Sequence, residues 1–223
     1  MVDLVVFDMA GTTVYDGDAV NAAFTATLAE RDLSVPSPLI DSVMGLPKPV
    51  AIRILLQHAR RPATDADVEA LHAAFTARMI EYYRTAPEVR EVPGAAAVFA
   101  ELRARGVKVA LETGFFRPIA TAVLDRLGWT EPGTVDATVT SDEVPRGRPH
   151  PDMVFHLMKR LGATDATRVA KVGDTQSDLE EGTAAGCRWV VGVLTGSSTR
   201  EQLQGWPHTH IVASVADVPH LLR

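Results

Sequence analysis

The sequence predicts an α/β fold, a doubly wound parallel sheet of Rossmann-like type with an all-helical segment inserted after its first strand. Three observations predict it. Short β-branched runs recur at Leu4–Phe7, Val107–Leu111, Val135–Val139, Arg168–Val172 and Trp189–Val193, with a weaker one at His210–Ala213. Helical patterns alternate with the later runs, and near-continuous apolar strands between amphipathic helices mark a parallel sheet covered on both faces. Residues 17–92 break that alternation and contain no convincing strand.

Taken in order, the first run ends on Asp8, and helical periodicity then covers Ala19–Arg31, Pro38–Met44, Val50–Arg60 and Asp65–Tyr83. Turn signals at Ser34–Pro36, Gly45–Pro49 and Arg61–Ala63 separate these stretches. We expect a core of residues 1–16 and 93–223 and a helical cap of residues 17–92. Beyond it, helices are expected at Ala95–Arg105, Ile119–Leu127, Met153–Leu161 and Ser177–Ala185. Gly106, Gly128, Gly162 and Gly186 follow them, where a left-handed residue closes a helix.

Composition excludes several classes. In 223 residues, 28 acidic side chains outnumber 22 basic ones, so clustered positive charge for nucleic-acid phosphates is missing. A hydrophobic fraction of 46% is too high for a disordered chain. No apolar run reaches membrane-spanning length. One cysteine, Cys187, cannot form an intrachain disulfide, and Asp3 and Asp8 interrupt the apolar N-terminal run, so it is not read as a signal peptide. The expectation is a cytoplasmic protein that binds neither nucleic acid nor membrane.

In a doubly wound sheet, functional groups gather at the carboxyl ends of the strands. Those ends carry Asp8, then Thr113-Gly114, then Arg148 after a loop, then Gly173-Asp174-Thr175 with Asp178. Each alone is an ordinary turn, cap or surface residue. Together they bring carboxylates, a hydroxyl and a cation to one edge.

The segments Asp8-Met9-Ala10-Gly11-Thr12-Thr13, Glu112-Thr113-Gly114, Arg148-Pro149-His150-Pro151 and Val172-Gly173-Asp174-Thr175-Gln176-Ser177-Asp178 resemble, in order, the motifs of the haloacid dehalogenase superfamily. The resemblance implies that Asp8 is a nucleophile forming an aspartyl-phosphate. It implies Mg²⁺ held by Asp8, Asp174 and the backbone carbonyl of Ala10, with Asp178 acting on metal-bound water from outside the direct ligands. Thr113, Arg148 and the backbone around Gly11, Thr12 and Gly114 would grip the phosphoryl oxygens.

Ala10 is the informative departure. Most phosphatases of this superfamily carry an aspartate there as general acid, worth roughly 10²–10⁴-fold in rate. Asp-x-Ala-Gly-Thr-Thr resembles instead the phosphonatase branch, which cleaves the C–P bond of phosphonoacetaldehyde through an imine on a cap lysine. The inserted segment has one lysine, Lys48, in Met44-Gly45-Leu46-Pro47-Lys48-Pro49. The branch places its lysine in a similar Met-Gly-Leu-x-Lys segment before a helix, so the resemblance implies that Lys48 forms the imine. Its expected pKa is lowered by apolar packing and the metal charge. Met44, Gly45 and Phe115 would then border the substrate, a small phosphonate, and the resemblance suggests a homodimer formed through the caps.

Other departures from that branch are Met9 for tryptophan, Ala51 for histidine, Phe115 for an aromatic hydroxyl, and Glu112 at a position that is more often small or uncharged. They are compatible with a related phosphonate, such as one hydroxylated beside phosphorus. Glu112 would either repel phosphate or act as an acid/base. Two rival readings stand beside the C–P hydrolase: a phosphatase for a small phosphomonoester, with Glu112 or the substrate supplying the acid, and a phosphonate-binding sensor. His208 and His210 are read as a solvated loop, His150 as capping or packing, Cys187 as a small filler, and Tyr82-Tyr83 as packing residues. Gly196–Thr199 is read as a short polar loop.

Overall fold

Strand β1 (Leu4–Asp8) is wholly buried and pairs in parallel with β4 (Lys108–Thr113) on one side and β6 (Val169–Gly173) on the other. The computed structural model describes residues 1–15 and 17–222; the expected boundary at Asp16 and the terminal Arg223 lie outside them. Adding β5 (Ala137–Thr140), β7 (Trp189–Val193) and β8 (His210–Val212) gives a six-stranded sheet in the order β5-β4-β1-β6-β7-β8, every pair parallel. Parallel pairing forces each connection across a face of the sheet, and the period of two divides β1 between those faces. Val5 and Phe7 join one apolar cluster, while Leu4 and Val6 join another.

On the first face, Phe7 meets Phe99 of α5 (Ala95–Ala104) with ring centroids 5.4 Å apart, and Phe99 in turn meets Trp129 at 5.2 Å. On the second, Met153, Val154 and Leu157 of α7 (Asp152–Leu161) cover Ala110 and Ala137. The remaining core helices are α6 (Arg117–Leu127) and α8 (Gln176–Ala184), with short α9 (Arg200–Gln204) and α10 (Val218–Leu221) near the C-terminus. Gly106, Gly128, Gly162 and Gly186 all have left-handed φ between 65° and 79°, as their places after helices predict.

Between β1 and α5, the described residues form four helices: α1 (Ala19–Ala29), α2 (Ser37–Asp41), α3 (Lys48–His58) and α4 (Asp65–Thr85). Phe24, Ile52, Phe75 and Tyr83 from this insertion belong to the same buried cluster as Phe7 and Phe99, because Tyr83 and Phe75 reach Phe115 on the core side. The sequence misses the short helices α9 and α10 and a strand pair at the neck of the insertion. Val14–Tyr15 (β2) and Arg90–Glu91 (β3) pair antiparallel where the chain enters and leaves the insertion. Two residues per strand are too few to show alternation. The structure also starts α3 at Lys48, two residues before the expected helix, because Pro47 caps it and Pro49 sits in the first turn.

Candidate active site

The carboxyl ends of β1, β4 and β6 open into a cavity of about 410 Å³ between the sheet and the insertion. Its lining brings together Asp8, Ala10, Gly11, Thr113, Gly114, Phe115, Arg148 and Asp174 from the core with Met44, Gly45 and Lys48 from the insertion. Tyr15, Gly17, Asp18 and Val20 complete the wall on the insertion side.

Local sequence explains how these groups meet. After Asp8, the amides of Thr12, Thr13 and Val14 all donate to the Met9 carbonyl, and the Thr13 hydroxyl donates to the Asp8 carbonyl at 2.8 Å. Gly11 sits at φ 86°, where a side chain would stand 2.7 Å from Asp174 Oδ2; glycine permits both the turn and the approach. Gly45 and Gly114 make a second close approach. A methyl on Gly114 would lie 2.7 Å from the Gly45 carbonyl and 2.8 Å from that of Leu46. Ser177 on α8 donates to the Met44 carbonyl at 3.4 Å. The loop before Lys48 is thereby seated directly on the core.

Lys48 is 3% exposed at the first position of α3. Its Nζ lies 4.9 Å from the Phe115 ring centre and 5.7 Å from that of Phe24, so the amine stands among aromatic faces on the wall opposite the carboxylates. Phe115 is itself fixed by Tyr83, centroids 6.0 Å apart, and its amide donates to Thr113 Oγ1.

The carboxylate oxygens of Asp8, Asp174 and Asp178 lie within 4.8 Å of one another. Asp178 is fully engaged: Oδ1 accepts from Lys171 Nζ at 2.6 Å and faces Arg148 at 2.9 Å, while Oδ2 accepts from the Thr175 amide and hydroxyl. Arg148 and Lys171 hold its carboxyl below the ordinary range against the opposing effect of burial. Asp174 is oriented by Thr12 on Oδ1 and by the amide and hydroxyl of Ser197 on Oδ2. Burial, reinforced by Asp8 and Asp178, pushes Asp174 up to about 7. Burial also raises Asp8, with Arg148 opposing it, to about 6. One oxygen of each of Asp8, Asp174 and Asp178 converges on a common point, an all-oxygen donor set. A divalent cation with oxygen preference fits between Asp8 and Asp174, with Asp178 acting from behind.

Several of the expected site residues have further contacts. Arg148 borders the cavity, but its guanidinium meets carboxylates: Asp8 at 2.5 Å, Asp178 at 2.9 Å, Glu112 at 3.3 Å and Glu181 at 3.4 Å. Thr12 does not border the cavity, because its hydroxyl is turned onto Asp174. Glu112, expected to repel phosphate or act as acid/base, is outside the cavity and pairs with Lys171 at 2.8 Å. Its carboxyl is held low by Lys171 and Arg148 despite burial. Burial and the charge of Glu112 raise the Glu181 carboxyl well above its usual value, with Lys171 and Arg148 opposing them.

Residues missed by sequence reasoning are Lys171, Glu181 and the segment Thr195-Gly196-Ser197. The last lies beyond β7, where the rule that strand ends carry function would have found it. Thr195 donates to the Gly11 carbonyl at 2.7 Å. Lys171 and Glu181 left no such signal, since a lysine inside a strand and a glutamate in mid-helix read as solvent-facing. His208 and His210 are exposed, as is His150. Burial pushes the Cys187 thiol up to about 12, which leaves it an unreactive filler.

The model of the haloacid dehalogenase-like hydrolase family matches residues 2–186. The chain belongs to the haloacid dehalogenase-like hydrolases. Among curated relatives of this hydrolase, a phosphonoacetaldehyde hydrolase of Bacteroides fragilis is 33% identical across 97% of this chain and 87% of its own. Another, of Bacillus cereus, is 33% identical across 88% of this chain and 77% of its own. Among solved structures, a hydrolase from Pseudomonas syringae superposes with TM-score 0.87 at 21% identity, covering 99% and 98% of the two chains. A phosphonoacetaldehyde hydrolase-like protein from Oleispira antarctica does so with TM-score 0.82 at 25% identity, covering 99% and 91%. The fold of the hydrolase is thus the haloacid dehalogenase fold. Among the described residues, no helix is long and apolar enough to cross a membrane.

Proposed function

We propose that this hydrolase cleaves the C–P bond of a small phosphonate carrying an aldehyde, phosphonoacetaldehyde being the substrate of choice, to give acetaldehyde and phosphate. The observation that carries this reading is the placement of a buried lysine, Lys48, across one cavity from Asp8, with Ala10 where an acid would stand. Curated relatives named phosphonoacetaldehyde hydrolase support it.

In the proposed reaction, Lys48 Nζ adds to the aldehyde carbon and loses water as the protonated imine forms. An Asp8 oxygen then attacks phosphorus. As the P–O bond forms, the C–P bond breaks, and its electron pair moves into the imine to give an enamine. The enamine takes up a proton at carbon, and water releases acetaldehyde and restores Lys48. A second water cleaves the aspartyl-phosphate to phosphate and Asp8. Asp8, Asp174 and the Ala10 carbonyl would hold Mg²⁺, which supplies neutralising charge for the phosphoryl oxygens when bound. Thr113 and the amides near Gly11 and Gly114 face those oxygens. Residues 17–92 act as a cap that keeps bulk water from the imine. The leaving carbon departs as an enamine, so Ala10 needs no proton to give.

A phosphatase using Glu112 as its acid is disfavoured, because Glu112 lies outside the cavity and is paired with Lys171. The test is borohydride reduction in the presence of phosphonoacetaldehyde, followed by peptide mass mapping. An adduct on Lys48 supports the reading; undiminished turnover by Lys48→Ala overturns it.

A further inference from the structure

Behind Arg148, on the side away from the cavity, lies a closed ionic layer that the proposed chemistry does not use. Lys171 Nζ sits among three carboxylates, 2.6 Å from Asp178, 2.8 Å from Glu112 and 3.7 Å from Glu181. Glu112, Asp178 and Glu181 have the spacing of a cation site, and the lysine ammonium supplies that cation from within the chain. The same Glu112 and Glu181 face Arg148 Nε from behind, at 3.3 and 3.4 Å. The far end of the guanidinium meets Asp8. All these side chains are buried.

The backbone is shaped to bring the layer together. A methyl on Gly182 would stand 2.8 Å from Lys171 Cβ and 3.0 Å from its Cγ, so the missing side chain lets α8 settle onto β6 at this level. That approach carries Glu181 to Lys171 and Arg148. Stability alone gives no reason to keep such a layer, because well-packed apolar side chains of similar volume serve a core as well or better. What an ionic layer adds is placement: Glu112 and Glu181 stand behind Nε while Asp8 and Asp178 meet the two terminal nitrogens, so the planar guanidinium is held from both ends.

We propose that Lys171 and Glu181 are positioning residues that fix the guanidinium plane of Arg148 and, through it, the reactive oxygen of Asp8. Neither residue touches the cavity. The proposal rests on Asp8 being the nucleophile of the proposed function, but not on the identity of the phosphonate.

The test compares wild type, Glu181→Ala, Glu181→Gln and Lys171→Arg. The readouts are kcat and KM with phosphonoacetaldehyde and capture of fluoroberyllate with Mg²⁺ at Asp8, followed by ¹⁹F NMR. We expect Glu181→Ala to lose about tenfold or more in kcat with KM within about twofold, and Glu181→Gln, which keeps the shape and an oxygen facing Arg148 Nε, to recover most of the loss. Folded Glu181→Ala with unchanged kcat, or Glu181→Gln no better than Glu181→Ala, overturns the proposal. Should Glu181→Ala fail to fold, Lys171→Arg retains the charge but shifts the layer; the same kcat loss is expected and an unchanged kcat overturns it. If wild type captures fluoroberyllate without turning over phosphonoacetaldehyde, the substrate reading fails alone. Capture then carries the test: a Kd weakened about tenfold in Glu181→Ala supports positioning, and an unchanged Kd overturns it. No capture by wild type overturns both.

Discussion

Lys48 Nζ lies 4.9 Å from the centre of the Phe115 ring, and the two residues come from opposite sides of the cavity, one from the first turn of α3 and one from the loop after β4. In the proposed reaction this ring is what orients the amine toward the aldehyde carbon. Phe115→Ala is therefore expected to lower the rate of imine trapping by about tenfold while leaving the Asp8 side unchanged, since orientation is what the ring supplies. Borohydride trapping against time, alongside fluoroberyllate capture, checks it. Equal loss in both measurements would mean that Phe115 holds the whole site.

Gly114→Ala tests the seating of the Lys48 loop. Its methyl would press on the Gly45 and Leu46 carbonyls, which are backbone and cannot rotate away. We expect a destabilisation of about 1–3 kcal/mol from overpacking. Activity is expected to fall further than stability, because the displaced loop carries Lys48. Urea denaturation and turnover measured on one preparation separate the two.

Ala10→Asp installs a proton donor beside Asp8, the proposed nucleophile. We expect the variant to gain hydrolysis of simple alkyl phosphates by roughly 10²-fold over wild type, the lower end of what a general acid contributes. Cleavage of the phosphonate should not improve, because an enamine leaving group needs no acid at that position. Phosphate release from both substrates decides; a gain on the phosphonate would refute the imine route.

Arg148→Ala leaves Asp8, Asp178 and Glu112 buried around an empty space. Removing one partner from a buried charge network costs about 3–5 kcal/mol. Arg148→Lys keeps the charge but cannot meet Asp8 and Asp178 together, as the planar fork does. It should retain most of the stability and lose most of the activity, as read by thermal melting and turnover.

Glu181 makes stability depend on pH in a definite sense. Its carboxyl is raised in the native protein by burial and by Glu112, so the native state keeps a proton that the unfolded chain releases above its ordinary value of 4.5. Native stability therefore falls as pH climbs above that value. Glu181→Gln removes this dependence. It should be more stable than wild type near neutrality, with the difference shrinking towards pH ~4, where the unfolded chain is protonated too. Denaturant midpoints across this range would show it, and a constant difference would refute it.

The parallel sheet was legible because burial on both faces leaves runs such as Leu4–Phe7 without polar interruption, and helix-ending glycines mark the intervals. Asp8, Thr113, Arg148 and Asp174 were legible because strand ends in such a sheet converge on one edge. Asp8 was readable as a position, but its partner was not. Arg148 and Lys171 meet Glu181 only because α8 lies close against β6 at Gly182. Pairings of that kind depend on the distance between two elements, and no local pattern encodes it. The β2–β3 pair escaped for a different reason: its strands come from segments more than 70 residues apart and are too short to carry a period of their own.

That small pair governs how the insertion can travel. The chain crosses between sheet and insertion twice, and at Val14–Tyr15 and Arg90–Glu91 the two crossings are laced side by side, with the Arg90 guanidinium 4.0 Å above the Tyr15 ring. Two independent tethers would allow tilt, twist and slide. A laced ribbon folds across its width far more readily than it shears along its length, leaving one soft axis. Any opening of the cavity is then a swing about that axis. Under the proposed function such a swing would carry Lys48 along a single arc over the cavity it shares with Asp8.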